Sequence, residues 1–242
     1  MIGRDIKPSS VRCVIRTHLA IALASAVAGC GGLAAKSPEK ERSNDVPPQV
    51  IYRIDDHRFI TLEDYEDCHY GTTYYNDTQQ NIRTKFGRGG GIANYRGRLI
   101  NADPTGRNIV VPSSYLPKGV CPDKGCSIAF IYSTNAGRTF QSGGYYMKNT
   151  QTPYIDSAKY IFAVNADRLY IAKDRDGDYY VTQYPLIPGI DLKKPYPPGV
   201  RGAGFLASKR PNYLDGLRTP SGQEYIKCDD SIRPANAPKG EK

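Results

Sequence analysis

Residues able to do acid–base chemistry are sparse in this 242-residue chain, which has three histidines, of which only His57 and His69 lie beyond residue 29. His57 beside Asp55 and Asp56 could form a base with an orienting carboxylate, but the same tripeptide reads more simply as an exposed polar turn. One Ser-x-x-Lys pair, Ser37 and Lys40, lies where no periodic element could position it. There is no His-Glu-x-x-His and no Gly-x-Ser-x-Gly elbow. Asp174-Arg175-Asp176-Gly177-Asp178 begins like a calcium loop, since alternating carboxylates can aim hard oxygens at one cation. Tyr179 then stands where the sharp-turn glycine belongs and Pro185 where the bidentate glutamate belongs, so a hairpin turn is expected instead. Gly87-Arg88-Gly89-Gly90-Gly91 is not followed by Gly-Lys-Ser/Thr and reads as a loop rather than a phosphate cradle. Arginine and tyrosine, which sialidase chemistry would combine with an acid, are plentiful, but no spacing assigns them. No catalytic residue, metal ligand or cofactor is assigned, and a non-enzymatic protein is expected.

The cysteines say more. Residues 1–29 combine a basic start (Lys7, Arg12, Arg16), an apolar run from Leu19 to Gly29 and a small-residue cleavage site, the form of an export signal. That run is 11 residues long, against about 20 needed to span a bilayer as a helix. Val27-Ala28-Gly29-Cys30 resembles the bacterial lipobox, which implies cleavage ahead of Cys30 and lipidation of its thiol; the alternative is an ordinary secretory peptide with a chance cysteine. In the lipoproteins that this segment resembles, Gly31 in place of Asp implies the outer membrane of a Gram-negative cell, facing the periplasm. Several acyl chains, at about 0.8 kcal/mol per buried CH₂, would anchor the protein durably.

Once Cys13 leaves with the signal and Cys30 is acylated, Cys68, Cys121, Cys126 and Cys228 remain. An even number in an oxidising compartment suggests two disulfides. Of the three pairings open to four cysteines, we favour Cys121–Cys126 across Pro122-Asp123-Lys124-Gly125, leaving Cys68 to join Cys228. Zinc is the rival, but Cys-x₄-Cys with two distant single cysteines is not a usual finger spacing.

These residues need a scaffold, and the sequence describes one. Residues 30–49, rich in Ala, Ser, Pro and charge, read as a flexible tether. Residues 50–232 have the length of one domain, and 233–242 form a polar tail. Helical periodicity is hard to find, while Gly, Pro, Asn and Asp recur at turn spacing, so the expected fold is all-β, built of antiparallel meanders and hairpins. The 19 tyrosines, with no tryptophan, suit half-buried pleated surfaces. The clearest hairpin joins 168–173 to 179–184 through Asp176-Gly177, a dipeptide that tolerates positive φ. A preceding strand at 160–164 extends it to a meander, and further strands are expected at 50–54, 58–62, 98–100, 108–111, 127–132, 144–148 and 224–228.

Ser133-Thr134-Asn135-Ala136-Gly137-Arg138-Thr139-Phe140 follows the strand 127–132 and resembles the Asp-box hairpin of sialidase-like β-propellers. The physical content is a short acceptor at the third position bonding back to turn amides, a glycine in the left-handed region and an aromatic plug. Asn135 and Phe140 replace the Asp and Trp of that pattern. A single copy leaves a propeller-like and a sandwich arrangement both open.

Removing residues 1–29 leaves 29 basic and 23 acidic side chains, a net charge of +6. An exported protein of that charge is not expected to meet nucleic acid. Arg83, Lys85, Arg88, Arg96, Arg98 and Arg107 share their stretch with one acid, Asp103, while Asp55, Asp56, Glu63, Asp64, Glu66 and Asp67 form an acidic run. Both read first as solvated surface; the functional reading is that one of them steers an oppositely charged protein.

The lipobox, tether, β-rich domain and the segment Tyr154-Ile155-Asp156-Ser157-Ala158-Lys159-Tyr160-Ile161-Phe162-Ala163-Val164 together resemble the immunity lipoproteins encoded beside type VI-secreted phospholipase effectors. That resemblance implies tight binding of a cognate secreted lipase effector in the periplasm, without turnover. Arg88, Arg96 and Arg98 are the expected partner-binding residues. A glycan-binding or sialidase-like envelope propeller is the alternative, and a purely structural envelope lipoprotein the third reading.

Overall fold

The computed structural model describes residues 45–89 and 91–234, apart from the side chain of Arg88. The expected export signal, Cys30 and the tether as far as residue 44 lie outside the described residues, as does the tail from residue 235.

The first sheet is a four-stranded antiparallel meander of β1 (Gln49–Arg53), β2 (Arg58–Asp67), β3 (Tyr70–Asp77) and β4 (Ile82–Arg88) in sequence order. An aspartate makes each of its turns. Asp55 accepts from the amides of His57 and Arg58, Asp67 from those of His69 and Tyr70, and Asp77 from those of Gln79 and Gln80. A short carboxylate that bonds two residues onward stands in for a backbone partner and reverses the chain. β3 and β4 are additions to the expected strands; Tyr-Gly-Thr-Thr-Tyr-Tyr-Asn-Asp of β3 carries no apolar alternation. Its Thr72, Thr73, Tyr75, Asn76 and Asp77 are nonetheless buried.

The chain then forms β5 (Arg98–Asn101), and β6 (Ile109–Pro112), β7 (Cys126–Ser133) and β8 (Gln141–Thr150) make a three-stranded antiparallel sheet. One helical turn, α1 (Pro153–Asp156), leads into β9 (Tyr160–Val164), β10 (Arg168–Arg175), β11 (Asp178–Pro185) and β12 (Ala203–Leu206). With β5 added beside β9 these make a five-stranded sheet of order β12-β11-β10-β9-β5. Every pairing is antiparallel except β5 with β9, which run parallel. The all-β, largely antiparallel fold expected from the sequence is therefore present, and no sheet among the described residues closes into a barrel. The β10–β11 turn is the one expected: Asp176 and Gly177 both have positive φ, 53° and 99°, and Arg175 faces Asp178 across it.

Residues 46–49, expected as tether, already pack on the domain. Val46 lies against the core, Gln49 opens β1, and the Pro47 carbonyl accepts the Tyr65 hydroxyl at 3.0 Å.

The three sheets share one core, in which Ile60, Leu62, Val110, Phe130, Phe162 and Leu169 are almost wholly buried. Tyrosine does the work of large apolar residues here, and each buried phenol then needs an acceptor. Tyr52 donates to the Leu99 carbonyl, Tyr95 to Tyr160, Tyr132 to Ile190 and Tyr146 to Ser113. Buried amides do the same job between sheets: Asn101 on β5 both donates to the Val110 carbonyl and accepts from its amide, completing a β6 pairing with a side chain.

Burial raises the pKa of Tyr52 to about 12 and is the main cause of a rise to about 12 at Tyr160, and it holds Tyr95 and Tyr146 well above the ordinary phenol range. An unfolded chain ionises its tyrosines near pH 10. The stability carried by neutral Tyr52 and Tyr160 is thus complete below pH 10 and is lost as pH rises through about 12. In an alkaline titration the last phenolate absorbance is expected to develop together with collapse of the near-ultraviolet circular dichroism. Ionisation of all 19 tyrosines near pH 10 with that signal intact would contradict the buried set.

Both expected disulfides are present, Cys121–Cys126 and Cys68–Cys228. The second fastens the end of β2 to a strap of residues 217–229. That strap runs between β1 and β5: the Lys227 amide bonds the Ile51 carbonyl, the Leu99 amide bonds the Glu224 carbonyl, and Gln49 exchanges two hydrogen bonds with the Asp229 backbone. The strand expected at 224–228 is not formed. Its hydrogen bonds alternate between two different strands, and the Gln223 side chain takes backbone partners on β1, so no continuous ladder develops. The strap nonetheless covers edges that β1 and β5 would otherwise leave open to foreign strands.

Candidate partner-binding surface

The acid–base candidates are held in structural roles. Asp55 lies 3.3 Å from His57 Nδ1, as the sequence pairing anticipates, but it is shared with the buried Arg58 at 2.5 and 2.7 Å and with two turn amides. Burial opposes ionisation of Asp55, but these bonds outweigh it and hold its carboxyl below the usual range. His69 shares a 2.7 Å hydrogen bond with Asn94 and meets the Tyr154 ring edge-on. In the 174–178 turn, Asp174 accepts the Gly177 amide and closes the hairpin, while Asp178 accepts the Ser208 hydroxyl and amide and ties β11 to the turn after β12.

The arginine stretch does not form one free face. Arg83 makes a two-pronged pair with Glu63 at 2.8 and 2.9 Å, which holds that carboxyl below its ordinary range, and Arg107 donates to the Ala166 carbonyl. Of the three expected partner-binding residues, Arg98 is paired with Glu224 of the strap at 2.7 Å. Arg96 is exposed and lies over the Tyr154 ring, 5.1 Å from its centroid. Arg88 contributes backbone to β4 opposite Thr72, and its side chain lies outside the described residues. The Gly87–Gly91 segment begins as part of β4 rather than wholly as loop.

The turn 133–140 makes the bonds expected of it. Asn135 accepts the Thr139 amide at 3.0 Å, Ser133 Oγ accepts the Gly137 amide at 2.9 Å, and Phe140 packs between Tyr75 and Phe86. Gly137 sits at φ 78°, and a side chain there would strike the Tyr75 ring. Thr84 on β4 bonds the Gly137 carbonyl, so the turn docks the first sheet on the second.

A different surface gathers chemistry that the sequence scattered. Where β8 parts from the β9–β11 face, a cleft of about 310 Å³ opens, its floor made by Tyr146, Tyr160, Ile171 and Tyr184. The β-sheet register explains one wall: Tyr160, Lys173 and Tyr180 lie side by side across β9, β10 and β11. The period of two puts Arg175 on the same face as Lys173. Lys173 lies over the Tyr160 ring at 5.6 Å and Arg175 over Tyr180 at 4.9 Å. Tyr180 itself reaches toward Gly204 on β12, where any side chain would strike its hydroxyl. β8 supplies the other wall, with Lys148 and with Tyr145, which is 60% exposed. The floor is rigid, because Tyr146 meets Tyr160 and Phe162 edge-to-face, each at 4.9 Å.

The sequence reading missed this surface, although part of its signal was present. A two-residue turn at 176–177 fixes Lys173 opposite Tyr180, and hence the cationic and phenolic rows on one face. The contribution of β8 depends on packing between sheets and had no local signal. Phenols and cations gathered on one face are suited to binding, and Tyr and Arg are the side chains that dominate protein-binding hot spots.

A family model described as T6SS Tli3 immunity protein matches residues 44–173, more than half of the chain. The match runs from just ahead of β1 to Lys173 in β10. No curated protein matches the chain.

Proposed function

This chain belongs to the T6SS Tli3 immunity protein family, and from that footing we propose that it neutralises a phospholipase effector by binding it in the periplasm, without turnover. The observation that carries this reading is the family match across 44–173, which spans three-quarters of the strands that build the domain. Immunity against a secreted toxin requires a specific complex with it. The compartment is supported by the lipobox at Cys30 and by two disulfides, which persist where thiols are oxidised. The phospholipase target is supported by the resemblance that residues 154–164 share with immunity lipoproteins of that class. The effector is held without chemistry, in keeping with histidines and carboxylates already committed to turns and ion pairs.

The test is co-expression of the full-length protein with the secreted protein encoded beside it. Co-purification in detergent and loss of the partner's lipase activity are expected; absence of a complex at micromolar concentration would overturn the reading. Cys30→Ser is expected to abolish retention in the outer-membrane fraction while leaving soluble inhibition intact. If that variant still fractionated with membranes, the lipid anchor would be wrong.

A further inference from the structure

We propose that the cleft between β8 and the β9–β11 face receives an acidic segment of the effector, whose carboxylates meet Lys148, Lys173 and Arg175 between the rings of Tyr145 and Tyr180. The inference rests on the immunity reading above and names the surface and the partner chemistry through which it operates.

Charge is the first argument. None of these three cations has a carboxylate within ion-pair distance among the described residues, whereas Arg58, Arg83 and Arg98 each have one. Of the nearby carboxylates, Asp156 is paired with Lys159 and bonded by Thr150 and Thr152, Asp174 accepts the Gly177 amide, and Asp178 accepts the Ser208 hydroxyl. The three cations of the cleft are therefore not held in ion pairs by the fold and can turn to a partner's carboxylates.

Preorganisation is the second argument. Two of the cations lie over aromatic rings, and the ring beneath Lys173 belongs to the packed floor. Long basic side chains ordinarily lose rotamer freedom on binding, so aromatic support lowers that cost. The third argument is size. A cleft of about 310 Å³ is at the lower end of ligand pockets, suited to a few side chains of a loop rather than to a folded lobe. Exposed tyrosines at its mouth give the surrounding contacts their large, stiff apolar area.

The experiment uses the full-length protein in detergent and the toxin that co-purifies with it, with affinity measured by calorimetry over a range of salt concentrations. Lys173→Glu and Arg175→Glu are each expected to weaken binding about 30-fold or more, the loss typical of a hot-spot residue. Wild-type affinity is expected to fall as salt rises, and the variants to lose that dependence. Lys193→Glu, on an exposed loop away from the cleft, serves as the charge control and is expected to bind as wild type. Each variant is first checked for an unchanged thermal midpoint.

Wild-type binding with equally tight cleft variants would overturn this inference and leave the immunity reading standing. No complex with the wild type would overturn both. If the variants lost binding to phosphatidylglycerol vesicles but not to the toxin, the cleft would be a lipid-headgroup site and the proposal wrong.

Discussion

Replacing both Cys68 and Cys228 by alanine is expected to remove about 5 kcal/mol of stability, because the bond closes a loop of 160 residues. Chain entropy is the reason. An unfolded chain crosslinked over that distance loses far more conformations than one crosslinked over five residues, so removing Cys121–Cys126 is expected to cost only about 2 kcal/mol. A domain of this size has roughly 5–15 kcal/mol in total, so the first loss is a large share of it. At about 2–4 °C per kcal/mol, the midpoint should fall by roughly 10–20 °C for the long-range bond and by less than half of that for the short one. The long-range bond also holds the strap, whose release would uncover the β1 edge. Denaturant titrations of the two double variants decide the matter; equal losses would show that the strap is held mainly by its hydrogen bonds.

Phe162→Ala is expected to cost about 3–5 kcal/mol, the range for emptying a fully buried aromatic site. The ring is wholly buried and meets Tyr95, Phe130 and Tyr146 at centroid distances of 4.9–5.7 Å, so its loss leaves three aromatic neighbours without a partner. The effect should extend beyond stability. Tyr146 forms part of the cleft floor and leans on Phe162, so the variant should bind the toxin more weakly even below its melting temperature. Phe205→Ala is the matched control. Phe205 fills a small separate cluster with Ala172 and Val181 on the opposite side of the five-stranded sheet and is 9% exposed. It is expected to destabilise less and to leave toxin affinity unchanged. A Phe162→Ala protein with unaltered affinity would separate the cleft from the core beneath it.

The fold was legible where local chemistry dictated it. Asp176-Gly177 marked the β10–β11 hairpin, and the spacing of Cys121 and Cys126 marked the short disulfide. β3 was hidden because its buried residues are Thr, Tyr, Asn and Asp rather than an apolar stripe, and β4 because none of its described side chains is fully buried. The parallel β5–β9 pair joins residues about 60 apart, and such pairing leaves no turn signal for sequence reading to find. At the site, arginines grouped by position in the chain were separated by folding. Arg98 found Glu224, which lies 126 residues away, and Arg83 found Glu63 on β2. Lys173 has tyrosines across from it on both neighbouring strands, and Arg175, although register sets it opposite Asp178, lies over the Tyr180 ring while Asp178 bonds Ser208.

The strap has a consequence for the order in which the domain can close. Residues 217–229 complete the neighbours of β1 and β5, yet they follow every strand of the domain in the chain. Until they are in place, two strand edges stay bare and the partner of Cys68 is absent. The last segment of the domain thus closes two sheet edges at once, and the Cys68–Cys228 bond acts as the latch.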